Sequence, residues 1–275
     1  MAVRAAQTLE QEPQGFDGLC GRVLVLCYHA VSETWTSPLA IAPTTLARQV
    51  SLLIRRGYRG TTFADAVLDT HSERRFAVTF DDAYASVWTN GLPVLQQQGV
   101  PATVFSPTSF IESRKPLAWS GNRAWLDTPE ADELRPLTWQ QLAALAEKGW
   151  EIASHGHSHV RLTTLTDKEL HQELHTSRER LARHIATPRT LAYPFGDHDE
   201  RVRLAVRDAG FEAAAAAPGP GEPYVGGIYR WPRVGVYRGL SSQLFRLRTA
   251  ASFIRARQSG AWWRIYDARN RRARG

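Results

Sequence analysis

Between residues 22 and 216, short apolar runs alternate with longer amphipathic stretches, and this alternation constrains the fold more than any other feature of the chain. The run Arg22 to Tyr28 is apolar and rich in β-branched residues, as a strand buried on both faces would be. Pro43 then opens a helical pattern through Leu46, Val50, Leu53 and Ile54, and Gly57 closes it. The same reading predicts strands at Phe76 to Phe80, Ala102 to Phe105, Trp150 to Ser154, Thr190 to Tyr193, Phe211 to Ala216 and Tyr229 to Val236. Helices are predicted over Ala83 to Gln98, Trp139 to Lys148, Thr166 to Ile185 and Asp199 to Ala209. Such repetition implies a parallel sheet or barrel, whose chemistry sits in the loops at the strands' C-terminal ends.

With 275 residues and 43% hydrophobic content the chain can bury a substantial core. One main domain over residues 22–240 is expected, preceded by an extension over 1–21 and followed by a basic aromatic tail over 241–275. The formal charge of +7 concentrates in that tail, where nine arginines from Arg246 to Arg274 face only Asp267. Two cysteines, Cys20 and Cys27, are too few for a disulfide framework. No stretch reaches signal-peptide character or the roughly 20 apolar residues of a membrane span. These features lead to the expectation of a cytoplasmic protein.

The chemistry-bearing residues fall at the predicted strand ends: His29, Asp81-Asp82, the run Ser154-His155-Gly156-His157-Ser158-His159, and Pro194-Phe195-Gly196. Convergence of these four segments on one rim is expected. Adjacent carboxylates at the end of a buried strand repel unless something distinguishes them. A divalent metal does so, if one aspartate ligates it and the other stays free to take a proton. The plain alternative is a helix N-cap. Three histidines in five positions favour the metal, because imidazole and carboxylate together suit zinc and similar ions. Alternation would put all three rings on one face; a helical turn at Gly156 would group His155 with His159 and leave His157 apart.

Several blocks occur in the order found in one family. They are Tyr28-His29, Gly57-Tyr58, Thr79-Phe80-Asp81-Asp82, Pro101-Ala102-Thr103-Val104-Phe105, Gly149-Trp150-Glu151-Ile152, Ser154-His155 with His159, and Ala192-Tyr193-Pro194-Phe195-Gly196. Over about residues 22 to 236 the sequence resembles the polysaccharide deacetylases, carbohydrate esterase family four, which includes the chitooligosaccharide deacetylases of nodulation. The resemblance implies a distorted (β/α) barrel, with Asp81 as general base and Asp82, His155 and His159 as metal ligands. It implies Zn2+ by default, or Co2+, Ni2+ or Fe2+, and an oxyanion contact from the Phe195 backbone N–H. The partner it implies is an acetylated sugar or glycan.

The sequence also departs from the common family pattern. Many relatives donate the leaving-group proton from a histidine in a late Leu-x-x-His motif, and this chain has no histidine after His198. His29, after the first strand, matches the position used by members of a permuted arrangement, with His198 as the second candidate. Ala192 stands where many relatives carry an arginine that orients the base, a role open to Arg233. Ala83 replaces the glycine that usually follows the two aspartates.

Three functions are therefore weighed: an N-deacetylase acting on an acetamido sugar, polysaccharide or lipid-linked glycan; an O-acetyl esterase or cyclic amide hydrolase of the same family; and a noncatalytic carbohydrate-binding module. The segment Pro107 to Pro136, with Trp119, Asn122 and Trp125, is a candidate substrate wall. The tail's arginines and tryptophans suit peripheral contact with an anionic membrane through residues 241–275, or packing of its aromatics on the barrel. No nucleic-acid partner is expected, because no recognised motif accompanies the charge.

Overall fold

The computed structural model describes residues 22–69, 72–218, 224 and 226–274. The expected N-terminal extension with Cys20, and most of the breaker-rich loop at 218–223, lie outside the described residues. Strand β1 (Val23–Tyr28) is buried throughout and pairs in parallel over its full length with β5 (Arg75–Phe80). From β5 the parallel sheet runs outward through β6 (Ala102–Ser106), β7 (Glu151–Ser154), β8 (Thr190–Ala192) and β9 (Ala213–Ala216). The short β4 (Arg59–Thr61) pairs beside the first half of β5. A separate pair, β2 (Ala30–Val31) and β3 (Ala40–Ile41), stands off the main sheet.

The predicted strand Tyr229 to Val236 is two short ones, and they do different jobs. β10 (Trp231–Pro232) pairs with β9 at one end of the sheet, whereas β11 (Val234–Gly235) pairs with β1 at the other. Arg233 is the single residue between them. Five residues of chain therefore join the two ends of the sheet, giving a nearly closed, distorted (β/α) barrel of the kind the family resemblance implies.

Successive strand residues face opposite sides of a sheet, so each strand contributes to two cores. Leu24, Leu26, Tyr28, Phe76, Val78 and Phe80 point outward and pack under α1 (Pro43–Arg55) and α5 (Trp139–Glu147). Val23, Val25, Ala77, Ala153, Ala192 and Ala213 face the barrel interior. Small residues there leave room for Phe105 and Trp231, and for α2 (Phe63–Leu68), which adds Phe63, Ala66 and Val67 to the same cluster. Cys27, Thr79 and Asp81 continue the inward register toward the C-terminal rim, and none of them is more than 4% exposed.

The helices end where their sequences specify. α5 and α6 (Asp167–His184) each begin with a capping box, Thr138 with Gln141 and Thr166 with Glu169. α7 (Glu200–Asp208) is capped by Asp199, and α4 (Thr108–Ser113) precedes the irregular segment at 114–136. The expected helix Ala83 to Gln98 is instead a turn, a π-helical stretch at Val87–Gly91, and α3 (Leu92–Gln97). Two features divert it: Ala85 N–H donates to Arg135 O, and Pro93 lacks the N–H that an α-helix would use at that position. Beyond residue 240 the chain forms α8 (Ser242–Arg248), α9 (Ala251–Gln258) and α10 (Gly260–Arg274). Phe245 and Ile254 from this segment are buried in the outer core.

Candidate metal centre and active site

Asp81 and Asp82 leave β5 as neighbours and are drawn apart by the backbone. Asp82 has φ 69° and Ala83 φ 58°, left-handed conformations at the point where the second carboxylate meets His155 and His159 instead of Arg233. Ala83 thus holds with a methyl group a conformation that glycine would adopt without strain. Among the described residues, four of the five non-glycine positions with positive φ belong to this rim: Asp82, Ala83, His159 and Phe195. Strain concentrated in this way marks a place where side-chain direction outweighs backbone comfort.

Asp82 faces two imidazoles. His155 Nε2 lies 3.4 Å and His159 Nε2 3.1 Å from Asp82 Oδ1, and all three side chains are buried. His155 donates from Nδ1 to the carbonyl of Ala192 at 2.8 Å, which leaves Nε2 of the neutral ring as an acceptor pointed at a carboxylate oxygen. Acceptors aimed at one another need a cation between them, either a proton or a metal ion. The donor atoms of Asp82, His155 and His159 lie within 4.8 Å of one another. This set suits a divalent ion of the zinc type, with further coordination positions free for water or substrate. Burial opposes ionisation of Asp82, yet His159 and His155 hold its carboxyl well below the usual carboxylate range. At His155 burial disfavours the charged ring, but Asp81 and Asp82 outweigh it and raise the pKa. At His159 burial prevails and lowers it.

His157 takes no part in this group. Its Nδ1 lies 2.8 Å from Thr108 Oγ1, and its backbone N–H donates to Glu173 at 2.8 Å. Gly156, at φ 75°, supplies the turn that separates it from His155. Glu173, on α6, is the residue that sequence reasoning missed. Its carboxylate also accepts from Ser158 N–H at 2.6 Å and Ser158 Oγ at 2.7 Å, so one buried side chain secures the loop between the two imidazoles. The only signal was an acidic residue on the buried face of an amphipathic helix.

Asp81 has a different environment. Arg233 donates from Nη1 to Oδ1 at 2.6 Å and from Nη2 to Oδ2 at 2.8 Å, and it also binds Thr79 Oγ1 and the carbonyl of Ala216. The Cys27 thiol lies 3.4 Å from Oδ2. Burial alone would raise the Asp81 pKa, but Arg233, with His155 and His29, lowers it to about 2. The two carboxylates thus differ by environment, one beside a guanidinium and one beside imidazoles. A donor atom of His29 lies within 4.8 Å of those of Asp81 and Cys27, and its buried Nδ1 has no hydrogen-bond partner among the described residues.

The remaining predicted positions complete the rim. Phe195, after Pro194, has φ 60° and presents a 41% exposed ring, its centroid 4.7 Å from that of His159. Trp119, from the irregular 114–136 segment, stacks on His159 with the ring centroids 3.8 Å apart, so this segment forms a wall of the site. His198 is turned toward Arg203, 3.3 Å from its Nη1, and lies against Tyr193. Burial, with Arg203 and Arg230, lowers its pKa to about 4.

A parallel barrel whose C-terminal rim carries an Asp-His-His group beside an arginine-paired aspartate defines a class of α/β barrels with carboxylate–imidazole sites. The chain belongs to the polysaccharide deacetylase family, whose sequence model matches residues 69–214. It is 24% identical over 227 residues to YxkH of Bacillus subtilis (strain 168), a protein assigned by name to the polysaccharide deacetylases. That match covers 80% of this chain and 74% of YxkH. Among solved structures, the deacetylase PplD of Streptococcus pyogenes, in complex with acetate, superposes with a TM-score of 0.67 at 16% identity, covering 83% of this chain and 97% of that one. A de-N-acetylase from Aggregatibacter actinomycetemcomitans gives 0.68 at 18% identity, covering 82% and 99%. IcaB of Ammonifex degensii gives 0.64 at 20%, covering 86% and 97%. These structural likenesses establish the fold.

Proposed function

We propose that the chain is a metal-dependent hydrolase that removes N-acetyl groups from an acetamido sugar carried in a polysaccharide or lipid-linked glycan. The observation that carries this reading is the division of labour between the adjacent aspartates: Asp82 faces His155 and His159, whereas Asp81 is gripped by Arg233. Asp82, His155 and His159 would hold the divalent ion, Zn2+ by default. Such an ion, when bound, increases the acidity of water and polarises an acyl oxygen.

Asp81 acts as general base. Arg233 keeps its carboxylate ionised, and Arg233 Nη2 together with the Cys27 thiol occupies Oδ2. Among the described residues Oδ1 accepts only from Arg233, so it retains acceptor capacity for a proton from water. His29 is the proton donor to the leaving amine, a role supported by its place beside Asp81 and by its unpartnered Nδ1. The Phe195 backbone N–H contributes to the oxyanion contact. Trp119 and Phe195, both packed against His159, provide ring surfaces suited to a sugar.

Peripheral contact with an anionic membrane through 241–275 is supported by exposed Leu247, Trp263 and Ile265 among arginines. No helix among the described residues is long and apolar enough to cross a membrane. The deciding experiment is a screen of acetylated glycans and sugars for equal release of acetate and new free amine. Acetate without amine selects the esterase, ring opening of a cyclic amide selects the amide hydrolase, and purified protein that takes up no divalent metal defeats every hydrolytic reading.

A further inference from the structure

Beside Tyr237 lies a half-open pocket of about 480 Å³, between α1 along most of its length and the chain from residue 237 into α8. This volume lies within the range of small-molecule sites and exceeds what a single inorganic oxyanion needs. Four arginines line it, Arg48, Arg55, Arg238 and Arg246, and no lining residue is acidic. Among the described residues none of the four forms an ion pair: Arg48 bonds the Thr45 hydroxyl, and Arg238 bonds the carbonyl of Trp35. Four like charges around one concavity repel each other, and the described residues lining it supply no counter-charge. The floor is apolar, from Leu52 and Phe245.

The cavity shares a wall with the catalytic rim. Tyr237 lines it, and the centroid of its ring lies 6.1 Å from that of His29. The ring lies close over Gly235, where any β-carbon would meet Tyr237 Cε2 at 2.8 Å, so the wall is held in a fixed place by the barrel's closing strand. A ligand filling the cavity would therefore end one side chain away from the acid and base.

We propose that this cavity binds a phosphoryl group carried by the substrate, so that the sugar being deacetylated is a sugar phosphate or phosphodiester. The proposal rests on the deacetylase reading and narrows its substrate class. Guanidinium forks match the paired oxygens of a phosphoryl group, and four of them offset more charge than a single carboxylate carries. The apolar floor accepts the carbon portion attached to that phosphate.

The test is equilibrium binding by calorimetry, with metal removed by a chelator so that neither turnover nor metal–phosphate contact contributes. The probes are N-acetylglucosamine, N-acetylglucosamine 1-phosphate, and phosphatidylcholine vesicles with and without phosphatidylglycerol. The sugar phosphate should bind at least about tenfold tighter than the neutral sugar. Arg48→Glu/Arg246→Glu should abolish that preference, while Arg183→Glu, an exposed charge outside the cavity, should keep it. Unchanged thermal melting of the double variant shows that it is folded. Where the sugar phosphate shows no preference, binding to phosphatidylglycerol vesicles that is lost in the double variant but not in Arg183→Glu assigns the phosphate to a lipid carrier. Equal binding of both sugars, with vesicle binding unaffected by Arg48→Glu/Arg246→Glu, overturns the proposal. Acetate release by the metal-loaded enzyme is read separately, so the cavity and the deacetylase reading can fail independently.

Discussion

Arg233 and Asp81 meet in a two-pronged pair at 2.6 and 2.8 Å, both side chains buried, at the point where the barrel closes. Removing one member of a buried pair leaves the other charge uncompensated, which costs about 3–5 kcal/mol. Arg233→Ala should lose that much in denaturant unfolding. Arg233→Lys keeps a charge but not the fork, and should fall between the two. The pH dependence has a definite sign. With Arg233 present the Asp81 pKa is lowered to about 2, so its stabilising contribution is present above the unfolded value of about 3.9 and is lost as pH falls through 2. Weakening the pair raises that pKa, so the acid limb of the kcat/KM profile of Arg233→Lys should move to higher pH.

The two aspartates should separate experimentally. Asp81→Asn is expected to retain bound metal and lose turnover by about 10²–10⁴-fold, the usual worth of a general base. His155→Ala should lose the metal itself. Elemental analysis alongside acetate release checks both, and wild-type activity in either variant would defeat the assignment.

His29→Ala should lower turnover by about 10²-fold or more with metal content unchanged. A wild-type rate would move the proton donor to His198 or to solvent. His198 begins at a disadvantage, since its pKa of about 4 leaves it unprotonated at neutral pH.

Glu173 is not part of the Asp82, His155 and His159 group, yet it holds the loop between the two histidines. Glu173→Ala should weaken metal affinity by about 10–100-fold, as loss of support behind ligands commonly does. Competition with a chromogenic chelator reads this directly, and unchanged affinity would show that the loop holds its shape without the carboxylate.

At the opposite end of the barrel, the Glu151 carboxylate accepts from Thr103, Thr190 and the Ala64 N–H. Burial raises its pKa, more than these hydrogen bonds lower it. A raised folded-state pKa in an acid means that its contribution is full below the unfolded value of about 4.3 and declines as pH rises through the folded one. Glu151→Gln should therefore flatten the pH dependence of melting over the weakly acidic range. An unchanged slope would show that the carboxyl does not titrate there.

Much of this was legible in the sequence, for chemical reasons. A double aspartate and spaced histidines at strand ends are rare enough to mark a metal site, and buried strands such as Val23–Tyr28 are apolar throughout. Less was legible where long-range contacts decide. The helix expected over 83–98 is broken by a bond from Ala85 to Arg135, which local periodicity cannot show, and by Pro93. β4 and α2 are too short to show a period. Trp119 could be placed in a wall, but its stacking on His159 depends on how an irregular loop folds. The role of Glu173 arises only when α6 packs against the histidine loop.

The five residues from Trp231 to Gly235 that close the sheet have a consequence for the chain as it is made. The carboxylates and imidazoles of the rim are all synthesised before Arg233. A chain stopped short of residue 233 would hold two neighbouring acids with no guanidinium between β9 and β1 and no final staves to join them. The pairing of Asp81 with Arg233 then arrives together with closure, and an unfinished barrel released from the ribosome would carry the Asp-His-His group without its arginine-held neighbour.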